Sequence, residues 1–214
     1  MTDRRCLPDS RRDRIMAAGA LALGGLLLPI AFLRSPGRAK YFASQWALAA
    51  RFPRENLAGL DRATRAAFTR ARAEAFWRDH QLIGLTSGHR EAGAQQRMFE
   101  AEVRRTGSEH AARLRVLPPA ESSHVRGVAL DVRPWQGARW LEHNGGRYSL
   151  FRHYDNEWWH FEHRADGRAP EMLPHPGATP IGSISGSLLQ PARIDMPVPI
   201  IALTAAGWTT NGVL

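Results

Sequence analysis

The longest pattern in the chain is an unbroken apolar one. Residues 15–33 carry no charge, and every face of a helix built from them is apolar. Nineteen helical residues rise about 28 Å, close to the thickness of a bilayer's hydrocarbon. The pattern therefore predicts a transmembrane helix, in which Pro29 and the glycines are tolerated. Arg4, Arg5, Arg11, Arg12 and Arg14 precede it and Arg34 follows. This bias favours a cytoplasmic N-terminus and an exported remainder. A cleaved signal peptide would have a shorter apolar region and a small-x-small site, which Arg34–Ala39 matches poorly. An uncleaved signal anchor is the expectation.

Beyond the anchor the patterns shorten. Pro36, Gly37 and Pro53 break residues 34–58 into a linker or loose helix. Asp61 then stands as an N-cap before Thr64, Ala67, Phe68, Ala71 and Ala75 at helical spacing, with arginines 62, 65, 70 and 72 on the solvated side. Residues 81–86 have strand character. A second helix is predicted over 92–105 with Met98, Phe99 and Val103 inward, and another turn or two over 109–114. Residues 127–132 alternate, with Val128, Leu130 and Val132 on one face and Ala129 and Asp131 on the other. The glycines and Asn144 predict a loop over 135–149, followed by an aromatic strand over 158–163. After Gly167 prolines become frequent, and the apolar run at 198–208 is too short to cross a bilayer.

Helices followed by strands predict an α+β fold: a small, mostly antiparallel sheet flanked by helices, preceded by one N-terminal transmembrane helix. The expected organisation is a basic cytoplasmic tail (1–14), the anchor (15–33), a linker (34–58), a folded domain (59–166) and a Pro-rich extension (167–214).

Composition narrows the chemistry. Cys6 is the sole cysteine, so an internal disulfide framework and a zinc site of several thiolates are excluded. The net charge is +9, nearly all from arginine, with Lys40 the only lysine. Such an excess attracts polyanions in general. No run of five basic residues appears, so no specific nucleic-acid partner is expected.

Two stretches hold the candidate chemistry: Ser123-His124-Val125-Arg126-Gly127-Val128-Ala129-Leu130-Asp131 and Glu157-Trp158-Trp159-His160. Catalytic zinc needs three protein ligands, an open position and a nearby carboxylate to take a proton from water. A loop histidine at 124, leading through Gly127 into a strand bearing Asp131, lets both side chains enter one cleft. His160 from a neighbouring strand completes a two-histidine, one-carboxylate set. Glu157 would fall on the opposite strand face from His160, so it must lie on the turn before the strand if it is the general base. His143, His153, His163 and His175 are expected to be structural.

Together these stretches resemble the zinc D-Ala-D-Ala peptidases of the vancomycin-resistance carboxypeptidase and dipeptidase type. Their pattern is Ser-x-His-x-x-Gly-x-Ala-x-Asp followed by Glu-x-Trp-His. Ser122, His124, Gly127, Ala129, Asp131, Glu157, Trp159 and His160 match it. An upstream Ser-Gly-Tyr-Arg segment with a later glutamine is matched by Ser87, Gly88, Arg90 and Gln95, with His89 in the tyrosine position. The resemblance covers roughly residues 59–165. It implies a zinc cleft in which His124, Asp131 and His160 ligate Zn2+. It also implies that Glu157 is the base and that Arg90 stabilises the oxyanion, with substrate contacts at His89, Gln95, Ser122 and Ser123. The implied substrate is the peptidoglycan stem peptide, cut by a carboxypeptidase or endopeptidase held on the outer face of the cytoplasmic membrane, in the periplasm. A D-Ala-D-Ala dipeptidase, or a non-catalytic zinc module like the Hedgehog signalling domain, are the alternatives. Arg126, Arg133 and Arg139 are candidates to receive a substrate carboxylate.

Overall fold

A computed structural model of the chain describes residues 11–179. The basic tail before residue 11, Cys6 with it, and the stretch from 180 onward, including the apolar run at 198–208, lie outside the described residues. The elements run α1 (Arg11–Arg34), α2 (Ala39–Arg51), α3 (Arg62–Arg78), β1 (Gly84–Ser87), α4 (Ala92–Thr106), α5 (Glu109–Arg113), β2 (Ala129–Arg133), α6 (Trp135–Asn144), β3 (Leu150–Arg152) and β4 (His160–His163). The four strands form one antiparallel sheet in the order β1-β2-β4-β3. The fold is α+β.

Strand alternation divides the sheet into two chemically distinct faces. Leu130 and Val132 of β2, Phe161 of β4, Leu150 of β3 and Leu85 of β1 join Phe68, Ala71 and Ala75 of α3 and Leu141 of α6 in the main core. On the other face, Asp131 pairs directly across from His160, and Ala129 across from Glu162. Burying one face of a strand forces alternate residues to the other. The core therefore determines which side chains enter the cleft.

Helix α3 starts where its cap predicts. The Asp61 carboxylate accepts from the amides of Ala63 and Thr64, and these bonds hold its pKa below the usual carboxylate range against a small opposing effect of burial. Thr64, Ala67, Phe68, Ala71 and Ala75 are all buried. Arg72 is a correction: the spacing assigns it to solvent, yet it is only 3 % exposed. It donates to Gln45 at 2.6 Å and pairs with Glu55 at 2.8 Å. Its partners lie in the stretch read as a linker, where α2 forms between the breaks at Pro36-Gly37 and Pro53 and packs on both α1 and α3.

The loop expected over 135–149 is also corrected. Residues 135–144 form α6, with Ala138, Trp140 and Leu141 buried. The misleading Gly137 is a packing glycine, because a Cβ there would lie 2.6 Å from the Leu82 carbonyl oxygen. Strand β4 starts at His160, and residues 154–159 are largely turn.

Helix α1 is long and apolar enough over Asp13–Arg34 to cross a membrane. The apolar pattern assigns its whole circumference to lipid, but the structure gives one stripe to the protein. Ala20 and Ala31 are buried, and Gly24 lets the Phe76 ring approach so closely that a Cβ would lie 2.5 Å from it. Leu26, Ile30, Phe32 and Leu33 on the remaining surface are exposed.

Gly127 shapes the loop that carries His124 into the cleft. Its φ is +73°, and a Cβ would sit 2.6 Å from the Gly59 carbonyl oxygen. Its own carbonyl accepts from the Asp61 amide, tying the His124 loop to the start of α3. Gly127→Ala should therefore destabilise the protein by about 1–3 kcal/mol from backbone strain alone. The midpoint and slope of urea unfolding measure it, and an unchanged midpoint would contradict this placement.

Candidate metal centre

Three side chains from two strands and a loop converge. One donor atom each from His124, Asp131 and His160 lie within 4.8 Å of one another. Asp131 bridges the histidines, with Oδ1 3.0 Å from His160 Nδ1 and Oδ2 3.4 Å from His124 Nε2. Ligand bonds of about 2.0–2.2 Å at tetrahedral angles place donor atoms roughly 3.3–3.6 Å apart. The two spacings, one from each Asp131 oxygen, straddle the lower end of that range, and with all three donors within 4.8 Å of one another the group could hold a zinc-sized cation.

The second nitrogen of each imidazole is committed. His124 Nδ1 donates to the Gly88 carbonyl at 2.7 Å, which leaves Nε2 as its lone-pair donor. His160 Nε2 donates to Glu162 Oε1 at 3.1 Å, which leaves Nδ1. The two histidines therefore present opposite nitrogens, each with its tautomer set by an acceptor behind it.

Electrostatics favour a cation at this point. Burial by itself would lower the His160 pKa, but hydrogen bonds to Asp131 and Glu162 outweigh it and raise the pKa. Burial would likewise raise Asp131, yet the two histidines hold its carboxyl well below the usual range. The same contest, with His160 as the main opposing partner, leaves Glu162 at about 2.

Glu157 lies on the turn before β4, with its amide bonded to the Tyr154 carbonyl and its own carbonyl accepting from His160. That turn brings Oε2 to 3.8 Å from His160 Nδ1, on the metal side. Burial raises its pKa above the usual glutamate value.

Arg90 lines the same cavity, its guanidinium donating to Gln95 Oε1 at 2.6 Å and Ser87 Oγ at 3.0 Å. Both partners are neutral, so its charge is not cancelled by them. Gln95 also lines the cavity, but it is 2 % exposed and its amide is used at both ends. Its Nε2 donates to the Leu117 carbonyl at 2.6 Å, so it braces Arg90 and the 114–118 wall. Ser122 and Ser123 line the cavity and are buried. His89 does not line it; the ring packs against Gly59 and lies 3.9 Å from Glu91. Consecutive residues on this extended segment point opposite ways, so placing Arg90 inward turns His89 out.

The expected carboxylate receivers lie elsewhere. Arg126 donates to the Glu121 carbonyl, Arg133 sits over the Phe52 ring, and Arg139 lies beside Trp140 and His143. Arg115 and Tyr154, which do line the cavity, carry no motif that marks them. Glu162 was legible in principle, because it follows His160 by two residues on one strand and so shares its face. His153, read as structural, lies 3.6 Å from Glu162.

Glu162→Ala should weaken zinc affinity by about 10–100-fold, read by competition against a chromophoric chelator. Glu162→Gln, which retains an acceptor oxygen, should recover part of the loss. Equal affinity in all three proteins would remove Glu162 from the site.

No protein-family profile matches the sequence, and no curated protein matches it. Among solved structures, the chain is similar to the zinc complex of the vancomycin-resistance D,D-pentapeptidase VanY of a VanB-type cassette. That likeness has 24 % identity and a TM-score of 0.44 over 51 % of this chain and 76 % of that one. The LD-carboxypeptidase LdcB is 22 % identical, with a TM-score of 0.43 over 49 % of this chain and 58 % of LdcB. The L,D-carboxypeptidase DacB from Streptococcus pneumoniae is 19 % identical, with a TM-score of 0.43 over 56 % and 82 %.

Proposed function

We propose that this chain is a zinc-dependent peptidase that hydrolyses peptidoglycan stem peptides, as a D-alanyl-D-alanine carboxypeptidase or a related murein endopeptidase. The observation that carries the reading is the closure of His124, Asp131 and His160 around one centre with Glu157 beside it. A binding module needs the three ligands but has no use for a half-buried carboxylate poised beside them. The match of both motifs to the D-Ala-D-Ala peptidases adds the substrate class.

His124, Asp131 and His160 would hold the metal, which supplies Lewis acidity and makes water acidic enough to yield a nucleophile near neutral pH. Glu157 takes the proton from the attacking water at a carboxylate oxygen. The new C–O bond forms at the scissile carbonyl carbon, and the Arg90 guanidinium stabilises the oxygen that becomes negative. The C–N bond then breaks as Glu157 passes its proton to the departing amine, which leaves Glu157 ionised for the next cycle. Ser122 and Ser123 supply hydroxyls to the wall of the cleft. In this reading α1 anchors the protein in the cytoplasmic membrane and the cleft faces the periplasm, where its substrate is found.

The test is mass spectrometry of muropeptides incubated with the full chain in detergent. Loss of a terminal D-alanine or cleavage of a cross-link, abolished by a chelator and restored by zinc, is the expected result. Intact muropeptides in the presence of zinc would overturn the assignment.

A further inference from the structure

The cleft does not end at the metal centre. An inner cavity of 170 Å³ contains the three candidate ligands and Arg90. An outer one of 670 Å³ contains Glu102, Arg105 and Asn156. Arg115, Val116, Glu157 and Trp159 border both, so the two adjoin beside the proposed base. Pockets that enclose small organic ligands are typically about 300–1,000 Å³. The inner cavity falls below that range and suits little more than one small residue. The outer one falls within it and suits a longer piece of chain.

Charge singles out one residue of this outer groove. Arg105 is engaged by Glu102 through two bonds, 2.5 and 2.8 Å long, and that pair is internally neutral. The exposed guanidinium of Arg115 makes no hydrogen bond or ion pair among the described residues, and its acidic neighbours, Glu102 and Glu157, act on it only at longer range. The backbone that carries it is firmly held. Leu117 accepts from Gln95, Leu114 accepts from Asn156, and Arg113 pairs with Glu121 through two bonds. An unpaired guanidinium on a braced wall, bordering both cavities, matches the fork geometry of a carboxylate.

We propose that the outer groove binds the part of a peptide substrate that does not enter the metal chamber, and that Arg115 recognises a carboxylate on it. The preferred substrate is then an acidic peptide of more than two residues. This rests on the peptidase reading and deepens it. A groove that continues beyond the metal chamber also disfavours free dipeptide as the substrate for which the cleft is shaped.

The test uses the zinc-loaded full chain and two pentapeptides ending in D-Ala-D-Ala, identical except for glutamate or glutamine at the second residue. Binding is measured by calorimetry and turnover by D-alanine release. The wild-type chain should favour the glutamate peptide about tenfold, the scale of one charge-assisted hydrogen bond. Arg115→Ala should bring that ratio near one, and Arg115→Lys should leave it in between. Arg104→Ala, which removes the same charge from an exposed position on α4, should keep the wild-type ratio. An unchanged ratio in Arg115→Ala, or an equal loss in Arg104→Ala, overturns the proposal. Peptides bound with an Arg115-dependent preference but never cut would refute the peptidase reading and leave the groove standing. Peptides cut without preference would do the reverse.

Discussion

If the proposed peptidase reading holds, Glu157→Ala should lower the turnover number for D-alanine release by about 10²–10⁴-fold, the range typical for losing a positioned general base. Its carboxylate is 3.8 Å from His160 Nδ1 but is not one of the three converging donors. The variant should therefore keep zinc at close to wild-type affinity while losing turnover. His124→Ala or Asp131→Ala, in contrast, should lose metal and activity together. Glu157→Gln separates proton transfer from shape, since it retains the volume but cannot accept the proton at neutral pH. It should be as slow as alanine. Single-turnover release of D-alanine beside a zinc titration of each variant distinguishes these cases. Glu157→Gln turning over at more than a tenth of the wild-type rate would remove Glu157 from the proton-transfer role.

Glu55→Ala costs about 3–5 kcal/mol of folding stability, the usual penalty for leaving one member of a buried ion pair alone. Arg72 is 3 % exposed, and in the variant its guanidinium keeps, among the described residues, only the neutral Gln45 oxygen as a hydrogen-bond partner. Glu55 also accepts from the Leu85 amide at 2.6 Å, so the first strand of the sheet loses a bond too. The effect therefore reaches α2, α3 and β1 at once. Replacing both partners with apolar residues of similar size, as in Glu55→Leu with Arg72→Met, should cost much less, because no buried charge is then stranded. Urea unfolding followed by tryptophan fluorescence measures both. A loss under 1 kcal/mol for Glu55→Ala would show that water or rearrangement solvates Arg72.

Much of the candidate site was legible in the sequence. Ligand type, order along the chain and the need for Glu157 to lie on a turn all follow from local chemistry: a histidine, a glycine-led bend, an alternating strand and a carboxylate at an off-face spacing. The capping of α3 by Asp61 and the inward face of that helix follow in the same way, because caps and periodicity act over a few residues.

What the tertiary structure alone decided is which distant groups meet. Helix α6 was hidden because Gly137 suggests a loop until the Leu82 carbonyl is seen pressing on it. Arg72 was assigned to solvent because its partners, Gln45 and Glu55, lie 27 and 17 residues away in the chain. Glu162 behind His160, and Arg115 at the junction of two cavities, take their meaning from pairing and packing. Local pattern specifies conformation and the available functional groups. Long-range contact sets their charge environment and neighbours, because burial and pairing are properties of the assembled core.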